Sequence, residues 1–278
     1  MDMNAVIDTI AQRVPVVTDS TDYIGNGGLI YCGHCRTPKE TMISIGPLQR
    51  KVPCICKCMT LKRDAEDHKR NAEQKHMRIK SLQEFGLPGK ELFSWTFEND
   101  DGRSPKLMKA MRNYVENFDW FLENKKGLLL WGRASSGKSY AAVSVANALI
   151  QQERPCLVTS FTRISNKLQG QRDKQDYLDG LDLYDLLVID DLGVERKSEY
   201  MQEIVFDIIN TRYNSGKTFI VTTNLTIEEI KKPIETSDLR IYDRILERCT
   251  PIEVNEQSRR RIKAADDYHE AQMMLGLI

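Results

Sequence analysis

No apolar run in these 278 residues approaches the ~20 that a membrane-spanning helix needs, so no such helix is expected. The first thirty residues lack a long apolar core and carry Asp2, Asp8, Asp19 and Asp22, so no secretory leader is expected either. Net charge is missing as well. Forty Lys and Arg residues balance forty Asp and Glu. That excludes a global basic field, and any contact with nucleic acid has to rest on local patches. Internal repeats and low-complexity tracts are absent, which excludes a solenoid. Aromatics interleaved on a basic strand face, the stacking platform of an OB-fold, are also not evident. What remains is a globular composition, 41% hydrophobic and 29% charged, long enough for one large domain and a small one. Cysteine is the unusual component. There are seven, an odd number, and Cys32, Cys35, Cys54, Cys56 and Cys58 crowd into one stretch. Without a leader, that pattern points to metal rather than disulfides, and the expected compartment is the cytoplasm.

Gly132-Arg133-Ala134-Ser135-Ser136-Gly137-Lys138-Ser139 matches the phosphate-binding loop pattern G-x-x-x-x-G-K-[ST]. It follows the apolar run 127–131, which reads as a buried strand, and opens into an Ala-rich helix over 140–150. The glycines let backbone N–H groups turn inward as an anion nest, and the helix start adds partial positive charge. Phosphate contacts are expected from Gly132 through Tyr140. Lys138 is expected to reach the β- and γ-phosphates, and the Ser139 hydroxyl to hold Mg²⁺.

Downstream, 155–160 reads as a second strand, 161–168 as a helix, and 169–181 as a polar surface segment. Leu186-Leu187-Val188-Ile189-Asp190-Asp191 describes a central buried strand ending in two acids at its carboxyl edge, where doubly wound sheets bind ligands. Asp190 is expected to hold Mg²⁺, and Asp191 to orient or activate the attacking water. A helix over 199–213 stops at Asn214-Ser215-Gly216. The strand 218–224 ends in Asn224, whose amide is expected to face the γ-phosphate. Short helices are expected at 226–230 and 239–248, and a last strand at 250–254.

Ahead of this lie Cys32-Gly33-His34-Cys35 and, about twenty residues later, Cys54-Ile55-Cys56-Lys57-Cys58. Two such pairs on facing hairpins place four thiolates around Zn²⁺ as a zinc ribbon, a sensible staple for a segment too short to bury a core. Cys32, Cys35, Cys56 and Cys58 are the favoured ligands, with Cys54 or His34 as substitutes. Four thiolates leave no open position, so the zinc is structural. Val6, Ile7, Ile10 and Val14 suggest a short N-terminal helix, 63–83 a solvated linker helix, and 106–123 one amphipathic helix. The expected organisation is a cysteine-rich domain over 1–60, a helical linker over 61–90 and an ATPase domain over 91–278.

Four stretches together resemble the helicase-loader branch of the AAA+ ATPases, the DnaC/DnaI-type loaders, and most of all phage or prophage members with a cysteine-rich N-terminal segment. They are Leu-Leu-Leu-Trp-Gly before the loop, Leu-Leu-Val-Ile-Asp-Asp-Leu-Gly, Val-Thr-Thr-Asn-Leu and Arg-Ile-Tyr-Asp-Arg-Ile. The IstB-type transposition ATPases share the same core. The resemblance implies an α/β fold: a five-stranded parallel sheet between helices, a reduced C-terminal lid, and a small zinc-ribbon-like N-terminal domain. It implies Walker A at Lys138 and Ser139, Walker B at Asp190 and Asp191, and sensor 1 at Asn224. Arg244 then resembles an arginine finger acting on ATP held by a neighbouring subunit, and Arg260, within three successive arginines, matches sensor 2. Ser135 departs from the pattern where many relatives carry a second loop glycine.

The function implied is an ATP-driven factor that binds a hexameric DnaB-type replicative helicase and delivers it to single-stranded DNA. ATP, Mg²⁺ and Zn²⁺ are its cofactors. Turnover would be slow alone and stimulated by assembly or DNA, with hydrolysis as a release switch. The alternative is an IstB-like transposition helper acting on duplex DNA. A third class is an adaptor that binds ATP without useful turnover.

Overall fold

A computed structural model describes residues 18–46, 48–169, 174–193, 198–256, 267–268 and 271–277. The expected N-terminal helix and Arg260 lie outside them, as does most of the segment read as a reduced lid. The chain divides into two compact units, Met1–His76 and Met77–Ile278. Among the described residues no helix is long and apolar enough to cross a membrane.

The described residues of the first unit form two antiparallel pairs. β1 (Tyr23–Ile24) pairs with β2 (Ile30–Tyr31), and Tyr23 stacks on Tyr31 with ring centroids 5.8 Å apart. β3 (Glu40–Ile45) pairs with β4 (Leu48–Pro53) from Glu40↔Pro53 to Ile45↔Leu48. α1 then runs from Lys57 to Gly86. Its first turns belong to this unit and its last turns to the second, where Ile79 and Leu82 pack on the core. Gly86 ends it against the second unit's sheet. A Cβ there would sit 2.1 Å from the Cys156 carbonyl oxygen, so the chain approaches that closely only with glycine.

The second unit is a five-stranded parallel sheet flanked by helices. Its strands are β5 (Gly127–Trp131), β6 (Cys156–Ser160), β7 (Leu186–Leu192), β8 (Thr218–Thr223) and β9 (Cys249–Glu253), in the order β6-β7-β8-β5-β9. Both faces are covered, so the strands read as near-continuous apolar runs. The pleat sorts them. Leu128, Leu130, Leu186, Val188 and Ile220 join the core built with α2 (Pro105–Glu116) and α4 (Lys138–Gln151). Leu129, Leu187, Ile189, Phe219 and Val221 join the opposite core with α5 (Phe161–Gln169), α7 (Glu199–Ser215) and α9 (Thr236–Arg248). The described residues of this unit also form α3 (Phe118–Glu123), α6 (Lys174–Leu181) and α8 (Ile227–Lys231).

Two local expectations change. The helix expected over 106–123 is broken at Asn117 into α2 and α3. The break brings Tyr114 against both Phe118 (5.8 Å) and Phe121 (4.4 Å), a cluster that one straight helix spreads along its face. The segment 169–181, expected as polar surface, contains α6, which buries Leu178 and Leu181. Two apolar residues one turn apart are enough to anchor so short a helix, but too few to declare it in the sequence.

Candidate functional site

β5 delivers the phosphate loop at the carboxyl edge of the sheet, and α4 carries it away. Gly132 has φ +134, and a Cβ on it would lie 2.4 Å from the Val254 carbonyl oxygen. Gly137, the N-cap of α4, is left-handed at φ +103. Ser135 adopts φ +62, the region that favours glycine, so a glycine at this position would relieve the backbone. Arg133 and Ala134 are exposed, while Ser136 is buried beneath the loop.

Four side chains from three elements meet at the loop. Lys138 is buried. Its ammonium donates to the Gly132 carbonyl (2.9 Å), the Arg133 carbonyl (2.7 Å) and Asn224 Oδ1 (2.8 Å). Burial pulls its pKa below the ordinary lysine value, and the charges of Asp191 and Asp190 oppose that shift. Ser139 Oγ donates to Asp190 Oδ1 at 2.8 Å. The hydroxyl and carboxylate are thus already joined, a hard-oxygen pair suited to Mg²⁺ beside an anion nest. The amides of the loop and the Lys138 charge suit a polyphosphate, so the residues fit a magnesium nucleotide.

Asp190 and Asp191 sit where the β7–β8 register shifts between Ile189 and Leu192, and Asp191 takes φ +62. This is a β-bulge, the device that re-aims side chains at a strand end. Two hydroxyls of β8 clasp it. Thr222 Oγ1 donates to Asp190 Oδ1 (2.5 Å) and accepts from the Asp191 amide (3.0 Å). Thr223 Oγ1 donates to the Leu192 carbonyl (2.7 Å) and accepts from the Leu225 amide (3.1 Å). Sequence reasoning places these threonines in the strand 218–224 and in the resemblance, with no role of their own. Their position two residues and one residue before Asn224 was the available signal.

Two other candidate residues face elsewhere. The Tyr140 hydroxyl donates to the Thr96 carbonyl (2.8 Å), and its ring lies 5.5 Å from Trp95. Arg244, on α9, lies over the rings of Phe206 (4.8 Å) and Tyr213 (5.7 Å) and donates to the Arg240 carbonyl (3.1 Å). None of these partners belongs to the phosphate loop. α9 leads directly into β9, parallel to β5, so its C-terminal end lies at the amino edge of the sheet. There Lys126, just ahead of β5, reaches the Glu247 carbonyl at 2.9 Å. Arg244, one turn earlier, is therefore directed away from the loop of its own chain.

In the first unit, ligand atoms of Cys32, Cys35, Cys56 and Cys58 lie within 4.8 Å of one another. Cys58 Sγ is 3.5 Å from Cys32 Sγ and 3.3 Å from Cys56 Sγ, close to the ~3.8 Å edge that 2.3 Å Zn–S bonds imply. Cys54 donates instead to the Pro38 carbonyl (3.3 Å), and His34 lies 3.7 Å from Asp19. The first pair sits on a tight turn. Gly33 is required there, since a Cβ would meet the Thr21 carbonyl at 2.1 Å, and its amide donates to Asp22, itself ion-paired to Lys39 at 2.6 Å. The second pair was expected on a facing hairpin. It stands instead at the start of α1, Cys58 within the helix and Cys56 just ahead of it. The Thr37 hydroxyl, 3.0 Å from Cys35 Sγ, pulls that thiol down to about 5, while Cys56 and Cys32 beside Cys58 push it up to about 12. Four thiolates repel one another without a cation, and a divalent metal resolves that conflict.

The family description "IstB-like ATP binding protein" matches residues 58–266. A putative insertion sequence ATP-binding protein of Sinorhizobium fredii is 31% identical over 70% of this chain and 66% of its own length. The replicative helicase loader DnaC of Escherichia coli is 29% identical over 52% of this chain and 58% of its own. The chain thus spans 58–66% of these two relatives. The crystal structure of DnaI matches the fold with a TM-score of 0.52 at 23% identity, over 66% of this chain and 99% of that one. With its phosphate loop, paired aspartates and parallel sheet inside the matched span, the chain belongs to the family of IstB-like ATP-binding proteins.

Proposed function

We propose that this protein is an ATP-dependent helicase loader. It binds a hexameric replicative helicase of the DnaB type and delivers it to single-stranded DNA, and ATP hydrolysis acts as the release switch. The observation that carries this reading is the cysteine cluster. Cys32, Cys35 and Cys56 lie ahead of the family match that begins at residue 58, so the chain adds a stapled N-terminal module to the shared ATPase core. Relatives over that core include proteins named replicative helicase loaders DnaC and DnaI. A module outside the core is where a partner-specific contact belongs, and here it serves to dock the helicase.

In this reading Lys138 and the loop amides from Gly132 to Tyr140 hold the phosphates, and Ser139 with Asp190 holds Mg²⁺, which draws charge from the transferring phosphoryl group. Asp191 orients the attacking water. Asn224, bonded to Lys138, senses the γ-phosphate. Arg244 supplies its guanidinium to ATP on a neighbouring copy, which agrees with its direction away from its own loop, and hydrolysis then depends on assembly. Arg260 contacts nucleotide as sensor 2. The protein works in the cytoplasm.

Cys32, Cys35, Cys56 and Cys58 hold one structural zinc per chain. Elemental analysis of reduced, full-length protein should return one zinc, and Cys32→Ser should lose it. Wild-type protein without zinc would sink the assignment.

The functional test is co-purification with the host's replicative helicase, sized in solution with ATP and without. A defined complex is expected. The 31% identical insertion sequence relative favours one other reading, a transposition helper acting on duplex DNA. No helicase complex in either state, with assembly on duplex DNA, would replace the loader reading by that one.

A further inference from the structure

Thr222 is fully buried, yet its hydroxyl is the hub of the paired aspartates. Its bonding has one polarity. The Asp191 amide can only donate, and an ionised Asp190 carboxylate can only accept. The chain therefore runs from the Asp191 N–H to Thr222 Oγ1, and from the Thr222 proton to Asp190 Oδ1. Ser139 Oγ donates to the same carboxylate oxygen from the other side. With its proton directed at Asp190, the Ser139 hydroxyl keeps its lone pairs for a cation.

The bulge makes this clasp necessary. β7 and β8 are in register at Ile189↔Val221 and again at Leu192↔Thr223. Asp190 and Asp191 together face the single residue Thr222, and the regular backbone ladder is interrupted there. A side-chain hydroxyl takes over both duties the ladder drops. It satisfies the Asp191 amide, and it fixes the rotation of the Asp190 carboxylate.

We infer that Thr222 is a positioning residue for magnesium at the nucleotide site: its hydroxyl orients the Asp190 carboxylate toward the ion and holds the Asp191 backbone in its left-handed turn. The inference rests on the reading of Ser139 and Asp190 as the magnesium-holding pair. Thr222 touches neither phosphate nor metal. It acts through Asp190, so its removal weakens the site's grip on Mg²⁺ more than its grip on nucleotide.

The test is equilibrium binding of a fluorescent ATP analogue to the full chain, titrated with Mg²⁺, and repeated in EDTA. Thr222→Val keeps the shape and removes the hydroxyl. It should raise the Mg²⁺ midpoint by about 10–100-fold, the usual effect of losing a partner that orients a metal ligand, while affinity in EDTA stays at the wild-type value. Thr222→Ser should restore the wild-type midpoint. Thr223→Val removes the neighbouring clasp on Leu192, and it should lower the melting temperature without moving the Mg²⁺ midpoint. If Thr222→Val fails to fold, Thr222→Cys, with a weak thiol donor, carries the same measurement. A wild-type midpoint in the Val or Cys variant, or a Ser variant that behaves like Val, overturns the inference. Wild-type protein that binds no magnesium nucleotide at all overturns the nucleotide reading beneath it, a distinct result.

Discussion

Lys138→Ala should abolish nucleotide binding at concentrations that saturate the wild type. The ammonium is a buried positive charge held at the loop by two carbonyls and Asn224. Asp190 and Asp191 are the negative charges that act on it. Removing the lysine removes the charge-assisted bonds to phosphate proposed for it, worth about 1.5–3 kcal/mol each. It also leaves the two aspartates facing the phosphates without that counter-charge. Two lost bonds weaken binding by on the order of 10²–10⁴-fold. The variant should still fold, because two of its three orphaned acceptors, the Arg133 carbonyl and Asn224 Oδ1, belong to exposed residues, where water replaces the ammonium. A thermal shift separates the two effects. At ligand 100 times the wild-type Kd, ATP should stabilise the wild type by about 2.7 kcal/mol and the variant by about 0.4 kcal/mol or less. Equal stabilisation of both proteins would remove Lys138 from the phosphate site.

Much of the nucleotide unit was legible in the sequence because its signals are local. A buried parallel strand shows as four apolar residues in a row, and Leu186-Leu187-Val188-Ile189 was such a run. The loop's glycines are demanded by positive φ within the loop, and at Gly132 also by the approach of the Val254 carbonyl, but the pattern is contiguous and reads without knowledge of that contact. What stayed hidden depends on distant partners. The bulge at Asp190 and Asp191 exists only relative to β8, and no periodicity reports a register shift. α6 is held by two leucines that meet α7 and the sheet face, not by its own pattern. In the cysteine unit, composition named the four thiols that gather. It did not reveal that two of them ride on a helix start, because C-x-C reads alike on a hairpin or a helix cap.

Arg212→Met should strongly destabilise the sheet unit, although the residue touches neither candidate site. Its position was readable: Ile204, Ile208 and Arg212 recur at four-residue steps on the buried face of α7. Its consequence was not, since an arginine there usually reads as a surface residue. The side chain is completely buried. Its guanidinium donates to the carbonyls of Leu181 (3.1 Å), Tyr184 (3.0 Å), Asp185 (3.5 Å) and Thr218 (2.5 Å), and it lies 3.6 Å from an Asp182 oxygen. It thereby ties the end of α6, the turn into β7 and the start of β8 at the amino edge of the sheet. Burial lowers its pKa to about 10, with Asp182 opposing the shift, so the group stays charged at neutral pH. The charge itself gains nothing from the interior. The stability lies in the carbonyls, which have few other donors once the guanidinium is gone. Methionine matches the stem of the side chain and supplies none of them. Each carbonyl left unsatisfied costs about 1–3 kcal/mol, reduced where backbone relaxes or water enters, so a net loss of about 3–5 kcal/mol is expected. For a unit of this size that lowers the melting temperature by roughly 10 °C. Arg212→Lys should recover little, because one ammonium cannot span the carbonyls that a planar guanidinium reaches. Zinc content should be unchanged in both variants, since the cysteine cluster belongs to the other compact unit. A Met variant melting within about 2 °C of wild type would mean that the carbonyls find other donors and that the clasp is redundant.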